Sequence, residues 1–366
     1  MIGITNADAS IPYDPMRPYL GNGSDGDVVI RSGETYVVNV AEDVESAVLN
    51  CKSLLIEDGG TLKTSGRCPG FFVKVQGDCT INGTITMDCA APLQSENEEE
   101  LALNPGVTLF GNLIGGNGGA GGNSGYEQTT EEWYSGYSGG AGGIGHVFGG
   151  GYGGGGAGSI GKGGSSATRP YVGITWPYPG AIGDANNVGV NGAYGAGGAG
   201  RHAGELAFGR GGAAPGGSGA VVQGSFEDKE GSVSPKNGND GNGYGGGALF
   251  VFVGGELTIG STGVLTACGG IGGDGLLGEV WYHYTEDSTT ARYSYFSGSG
   301  GGGGGGIVAV TYRNVATQGG KILVNGGAAG DPYRTDYYYN GVKASGVAGS
   351  VGATVVEKFE NLLPSD

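Results

Sequence analysis

Proline, positive charge and long apolar runs are all scarce in this sequence. Of 366 residues, 13 are proline and 18 are lysine or arginine, against 35 acidic residues and a net charge of −17. Without a basic patch, nucleic acid and anionic membranes are poor partners. Because no stretch of about 20 apolar residues is present, we expect no membrane insertion. The first residues lack the basic and apolar parts of a secretion signal, which predicts synthesis in a cytoplasm.

Cysteine is also rare, and its spacing excludes the usual metal sites. The five cysteines are Cys51, Cys68, Cys79, Cys89 and Cys268. Their number is odd, no CxxC pair occurs, and no histidine lies at metal-ligand spacing. We therefore predict reduced thiols buried in strands, with a disulfide among the first four cysteines as the alternative, and without a metal or another cofactor.

Residues suited to catalysis are few and scattered. His146, His202 and His283 each stand in a glycine or aromatic context without an evident partner. The adjacent acidic pairs Glu131–Glu132 and Glu286–Asp287 are typical of solvated loops rather than of a general acid and base. We expect no enzymatic activity, with a polysaccharide depolymerase as the alternative among enzymes.

Glycine is the dominant residue, with 88 positions gathered in runs such as GGNGGAGG and SGSGGGGGGG. Runs of this kind are often flexible linkers. However, the hydrophobic fraction of 37% is high for a chain that cannot collapse. Collagen is excluded, because glycine does not hold an every-third-residue period and proline is scarce. The composition favours a scaffold in which backbones pack closely.

Short alternating apolar segments, bounded by Gly, Asp or Asn, predict strands in the first hundred residues. A brief acidic helix is predicted over 96–103. The strands are expected at 28–30, 36–40, 48–52, 54–56, 61–63, 71–75 and 79–87.

A pattern of strand, polar break, second strand, glycine turn and third strand recurs along the chain. Copies begin at Phe71, Leu249 and Ile307, residues 52–68 form a weaker copy, and Cys89 and Cys268 occupy equivalent positions. This repetition predicts an all-β fold of parallel β-solenoid-like coils, with a β-sandwich as the alternative.

Long glycine-rich excursions separate the copies. Glycine favours extended left-handed helices without internal hydrogen bonds, whose backbone groups must pair with neighbouring segments. We expect an inserted polyglycine II helix bundle with aromatic loops. The predicted regions are an irregular leader (1–27), a strand-rich base (28–105), a glycine-rich excursion (106–244) and further coils with insertions (245–366), and the smaller excursions lie at 269–306 and 326–350.

Over residues 106–350, runs such as GGNGGAGGNSG and GGAGGIGHVFGGGYGGGGAG, with aromatic loops between them, resemble the distal tail-fibre adhesins of T-even-like bacteriophages. The resemblance implies a rigid polyglycine bundle that presents loops to a receptor on the bacterial surface. It also implies a location on the virion surface after synthesis in the host cytoplasm. The first hundred residues depart from that family, whose fibre-attachment domain is replaced here by the solenoid-like block.

Aromatic residues cluster between the glycine runs. Tyrosine and tryptophan give large contact areas at low entropic cost, which suits the recognition of a protein or a glycan, although they could instead cover the bundle or an oligomer interface. The candidate receptor-binding residues are Trp133, Tyr134, Tyr137, Tyr171, Trp176, Tyr178, Trp281, Tyr282, Tyr284, Tyr337, Tyr338 and Tyr339.

The sequence therefore predicts a tail-fibre or other virion surface protein that binds a bacterial surface protein or glycan. Residues 1–105 are expected to contact other virion proteins, within a homo-oligomer of which a trimer is one form. The alternative is a purely structural virion component, such as a head fibre or decoration protein. An ice-binding protein ranks lower, because that function favours flat Thr/Ala arrays.

Overall fold

The fold is known from a computed structural model of the chain. It describes residues 16–41, 45–91, 221–227, 230–236, 239, 241–284, 289–296, 299–331, 348–349 and 351–359, with two-residue strands at 151–152, 167–168, 338–339 and 342–343. The helix predicted over 96–103 lies outside these ranges. Among the described residues, helical structure is limited to the 3₁₀ turn Arg17–Tyr19 and to Phe359, directly after the last strand. The all-β prediction is confirmed.

Twenty strands make up the described structure. They are β1 (Gly26–Ile30), β2 (Thr35–Val38), β3 (Ala47–Ile56), β4 (Thr61–Thr64), β5 (Phe71–Val75), β6 (Cys79–Ile81), β7 (Thr84–Thr86), β8 (Gly151–Tyr152), β9 (Ala167–Thr168), β10 (Val221–Glu227), β11 (Glu230–Lys236), β12 (Ala248–Ile259), β13 (Val264–Thr266), β14 (Leu277–Tyr284), β15 (Thr289–Phe296), β16 (Ile307–Gln318), β17 (Lys321–Leu323), β18 (Tyr338–Tyr339), β19 (Val342–Lys343) and β20 (Ala353–Lys358).

Two parallel sheets contain most of these strands. Sheet 1 has the spatial order β1, β3, β5, β12, β16, β20, and β6 pairs with β3 and β12. Sheet 2 has the order β2, β4, β7, β13, β17. The chain alternates between the sheets, so each repeat adds one strand position to both. Strands from 26–86 and from 248–358 therefore share the same two sheets.

The sequence copies that begin at Phe71, Leu249 and Ile307 lie side by side. Phe71 pairs with Leu249, and Ile307 pairs with Ala248, one residue before Leu249. The inner face of sheet 1 therefore carries the row Leu49, Val73, Val251, Val310. Sheet 2 carries the facing row Leu62, Ile85, Leu265.

These inward rows form the core. Alternation along β5 buries Phe71, Val73 and Val75 completely, while Phe72 and Lys74 stay partly exposed on the other side. A strand has a side-chain period of two, so one face of each sheet is apolar and the other is not. Each fully buried Val, Leu or Ile stabilises the fold by about 1.5–3 kcal/mol.

Two predicted strands are continuous in the structure. The segments expected at 48–52 and 54–56 form the single strand β3. Its first half pairs with β5 and its second half with β6, and a register shift falls next to Lys52 and Ser53. The break predicted between the strands 48–52 and 54–56 is therefore a β-bulge within one strand rather than a turn. Ser53 donates a hydrogen bond to Asp27 at 2.6 Å across this bulge.

The chain before β1 crosses the outer side of sheet 1. Met16 and Leu20 are buried there. The ring of Tyr19 stacks on Phe252, with 5.8 Å between centroids, and lies 6.1 Å from Phe359. This leader therefore connects strand positions at opposite ends of sheet 1.

Glycine-rich segments extend both sheets at one end. The outgoing glycine segments, 267–275 and 324–331, follow β13 and β17. The returning glycine segments, 241–247, 299–306 and 348–352, precede β12, β16 and β20. In the returning segment 299–306, every third amide donates to the outgoing segment 267–275. These bonds join Gly300 to Gly273, Gly303 to Gly270, and Gly306 to Ala267, at 2.7–2.9 Å.

Successive residues of an outgoing segment donate hydrogen bonds to different neighbouring segments. Gly269, Gly272 and Gly275 donate to the parallel outgoing segment at Asn325, Ala328 and Asp331, each at 2.9 Å. Gly270 instead donates to Tyr244 of a returning segment, at 2.9 Å. The period of three in donors and acceptors differs from the period of two in a β-ladder.

Close backbone contact explains the glycine content of these segments. A Cβ atom added at Gly303 would collide with the carbonyl oxygen of Tyr244, and one at Gly327 with that of Gly270. Alanine would force the segments apart at both positions. Arg67 forms a cation–π contact with Tyr244, and its guanidinium carbon lies over the ring, 4.9 Å from the centroid.

Candidate functional site

The outgoing and returning glycine segments connect the core to a separate four-stranded sheet, here called the hairpin sheet. The outgoing segment 267–275 leads into β14, and β15 leads back into the returning segment 299–306. β14 and β15 are antiparallel partners. β10 and β11 form a second hairpin, and β10 pairs with β14 in parallel. Hairpins from two excursions therefore combine in one sheet, in the order β11, β10, β14, β15.

Aromatic loops were predicted between the glycine runs, and for the aromatic segment 279–296, within the excursion 269–306, this prediction is wrong in its local structure. The segment folds as β14 and β15 with a short connection. Within Glu279–Tyr284, the residues Val280, Trp281, Tyr282 and Tyr284 are β-branched or aromatic, and this composition favours a strand. A strand fixes the spacing of its side chains more tightly than a loop does.

Trp281 and His283 form the best-defined aromatic pair of the hairpin sheet. Their ring centroids lie 6.4 Å apart, and the ring planes differ by only 6°. They are two residues apart on β14 and so share one side of the strand. Trp281 is half-buried and His283 is exposed. We therefore assign the Trp281–His283 pair as the centre of the candidate site.

Polar residues occupy the register positions on both flanks of this pair. On β10, Ser225 pairs with Trp281 and Glu227 pairs with His283. On β15, Arg292 pairs with Trp281 and Thr290 with His283. Neighbouring strands lie about 4.8 Å apart. Residues with hydrogen-bonding side chains therefore lie one strand away from Trp281 and His283 on both sides. Ser225 is exposed.

The structure places the remaining predicted residues differently. Tyr282 and Tyr284 lie on β14, and Tyr338 and Tyr339 form β18, which pairs with β19. The other candidates, Trp133, Tyr134, Tyr137, Tyr171, Trp176, Tyr178 and Tyr337, lie outside the described residues. Of the predicted set, Trp281 is the residue that the described structure places beside a second ring.

His283 and Ser225 were not among the predicted binding residues. His283 stood in an aromatic segment without an evident partner, yet the strand brings it parallel to Trp281. Their separation by two positions would have predicted that they share one side, if β14 had been recognised as a strand. Ser225 comes from another excursion, and nothing in the sequence links it to Trp281.

Comparisons with protein-family models, with curated proteins and with solved structures give no match to this chain. The site is therefore interpreted from its own residues.

Thiol chemistry has no support in the described structure. All five cysteines are free thiols, and Cys51, Cys68 and Cys79 are fully buried. Burial, together with the charge of Asp25, raises the pKa of Cys51 to about 12. Burial and Asp88 raise the pKa of Cys89 to about 11. Protonated thiols are poor nucleophiles, so these two side chains serve packing.

Metal sites and membrane-spanning helices are likewise not found in the parts of the chain that the structure describes. There, the His, Cys, Asp and Glu side chains do not gather in groups of three or more that could hold a metal ion. Within the same ranges, no helix is long and apolar enough to span a bilayer.

Proposed function

We propose that this chain is a surface protein of a bacteriophage particle, such as a tail fibre, that binds a receptor on the host cell without catalysis. The Trp281–His283 pair carries this proposal. It lies on a sheet that the chain reaches through paired glycine segments, away from the strands that form the core. Tryptophan is among the residues most enriched at the centres of binding interfaces.

The fold proposed with this function is a parallel β-solenoid that carries a polyglycine II bundle. The in-register rows of Leu49, Val73, Val251 and Val310 support the solenoid, because each repeat stacks on the one before it. The hydrogen bonds at every third residue of 299–306 support the polyglycine helices. The outgoing segment 267–275 is hydrogen-bonded to three neighbouring segments, which supports a rigid bundle.

Adsorption to cells tests the function. The labelled full chain is mixed with intact cells from a panel of bacterial strains, and the bound fraction is measured by flow cytometry. We expect binding to at least one strain and a loss of at least about tenfold for Trp281→Ala, the scale of one interface hot spot. Tyr36→Ala is the matched control, since Tyr36 is an exposed aromatic residue on β2 of the core.

Two results would contradict the proposal. Failure to bind any strain would remove the receptor-binding function. An equal loss of binding for the Tyr36 and Trp281 variants would show that the hairpin sheet has no special part in adsorption.

A purely structural virion component is the second candidate, and one observation favours it. Val29, Val37 and Val48 are exposed on the first strands. β1 and β2 are the edge strands of the two sheets at the same end of the stack, and exposed apolar side chains on edge strands favour a contact with another protein. In both candidates, residues 1–105 would attach the chain to the particle. Binding to particles that lack this chain, without any binding to cells, would select the structural role.

A further inference from the structure

The hairpin sheet has two chemically different sides. Side chains alternate along each strand, so the registers divide the residues into two sets. One set is apolar and aromatic: Val222, Phe226, Val233, Val280, Tyr282 and Tyr293. The other is polar apart from Trp281 and three residues at the end where β10 and β14 begin, Val221, Leu277 and Phe296, and its polar members include Ser225, Glu227, Glu279, His283 and Arg292.

The polar set belongs to the solvated side of the sheet. Sheets with antiparallel hairpins commonly pack one face and leave the other in water. Ser225 and His283, both members of the polar set, are exposed. Trp281 shares this side and is only half-buried. A large aromatic residue among charged and hydroxyl residues on a solvated face points to a ligand rather than to packing.

The charges on this side limit the ligand. Glu227, Glu230 and Glu279 provide three acidic residues against two basic residues, Lys236 and Arg292, and the whole chain has a net charge of −17. Polyanionic ligands would therefore be repelled. A neutral ligand with many hydroxyl groups fits better. A hydroxyl group can donate a hydrogen bond to a carboxylate and can accept one from a basic side chain.

We propose that the Trp281–His283 pair binds a neutral glycan, with the apolar C–H face of a pyranose ring on the indole of Trp281. The flanking register positions of Ser225, Glu227 and Arg292 supply residue types that pair with sugar hydroxyls. This inference rests on the proposed adhesive function and names its ligand class. A protein receptor is the competing occupant.

Treatment of the cells with periodate or with protease distinguishes a glycan ligand from a protein receptor. Periodate cleaves the vicinal diols of sugars, whereas protease removes surface proteins. The full chain is added to cells of an adsorbing strain after periodate, protease or mock treatment. We expect periodate to reduce the bound fraction at least about tenfold. Adsorption that survives periodate would overturn the glycan assignment and leave the adhesive function standing, whereas a chain that binds no untreated strain fails the adhesive function itself.

Variants of the pair test the assignment to Trp281. Trp281→Ala should lose binding to mock-treated cells at least about tenfold, and Trp281→Phe should retain part of it, since a smaller ring still stacks. Thermal unfolding followed by circular dichroism checks that both variants fold. If the alanine variant does not fold, Trp281→Phe still tests the assignment. A folded Trp281→Ala chain that binds as the natural chain does would refute the assignment.

Discussion

Replacement of Gly303 by alanine tests whether close backbone contact holds the glycine segments together. Gly303 is buried in the returning segment 299–306. Its amide donates to Gly270 at 2.9 Å, and its carbonyl accepts from Gly327 at 2.7 Å. A methyl group at this position would collide with the carbonyl oxygen of Tyr244. The change therefore strains the contacts to three neighbouring segments.

The expected cost follows from these contacts. Overpacking of a tight interior costs about 1–3 kcal/mol. Weakening of two backbone hydrogen bonds adds about 0.5–1.5 kcal/mol each. Alanine also reduces the conformational entropy of the unfolded chain, which offsets about 0.4–1 kcal/mol of this destabilisation. The net loss for Gly303→Ala is about 3 kcal/mol in the free energy of opening the segment.

Hydrogen exchange followed by mass spectrometry measures this opening locally. Peptides that cover 299–306 and 324–331 should exchange about 100-fold faster in Gly303→Ala, because each 1.4 kcal/mol is a factor of ten. The control is Gly319→Ala, since Gly319 is exposed and an added Cβ would lie 3.7 Å from its nearest neighbour. Equal exchange in the two variants would refute the close-packing argument.

Three further outcomes are expected. Phe71→Ala, at a completely buried position of β5, should lower the free energy of unfolding by about 3–5 kcal/mol in urea, and a loss below about 1 kcal/mol would contradict the core described above. Asp88→Ala should cost about 1.5–3 kcal/mol in the same assay, because Asp88 accepts hydrogen bonds from the Cys268 amide at 2.5 Å and the Thr266 hydroxyl at 2.6 Å. Stability should fall as the pH rises from about 9 towards 11, since the unfolded chain ionises its Cys89 thiol first while burial raises the pKa of the folded one to about 11. Cys89→Ser should weaken that dependence, and an unchanged pH profile would argue against the buried thiol.

The sequence predicts the core strands well, for a local reason. Alternating apolar residues between turn residues need no tertiary information, and the strand predicted at 71–75 matches β5 residue for residue. The bulge in β3 could not be read locally, because it depends on the change of partner from β5 to β6. The same limit applies to the hairpin sheet, where β10 and β14 meet from separate excursions.

The candidate site was predicted only in part. Trp281 was identified from its residue type and its place between glycine runs. The role of His283 depends on the strand geometry of β14, which sets the two rings nearly parallel. Ser225 reaches the site through a pairing between residues far apart in the chain. Residue type thus identified one member of the pair, and topology supplied its neighbours.

The stacking of the strands has a consequence for how such a chain can change over generations. Five connections run from sheet 2 back to sheet 1, at 39–46, 65–70, 87–247, 267–306 and 324–352, and the strands that follow them lie in matching register although the connections differ greatly in length. The entropy of closing a loop grows slowly, by about 0.6 kcal/mol per doubling. The chain can therefore vary in length at these connections, beyond the hydrogen-bonded glycine segments, without altering the core.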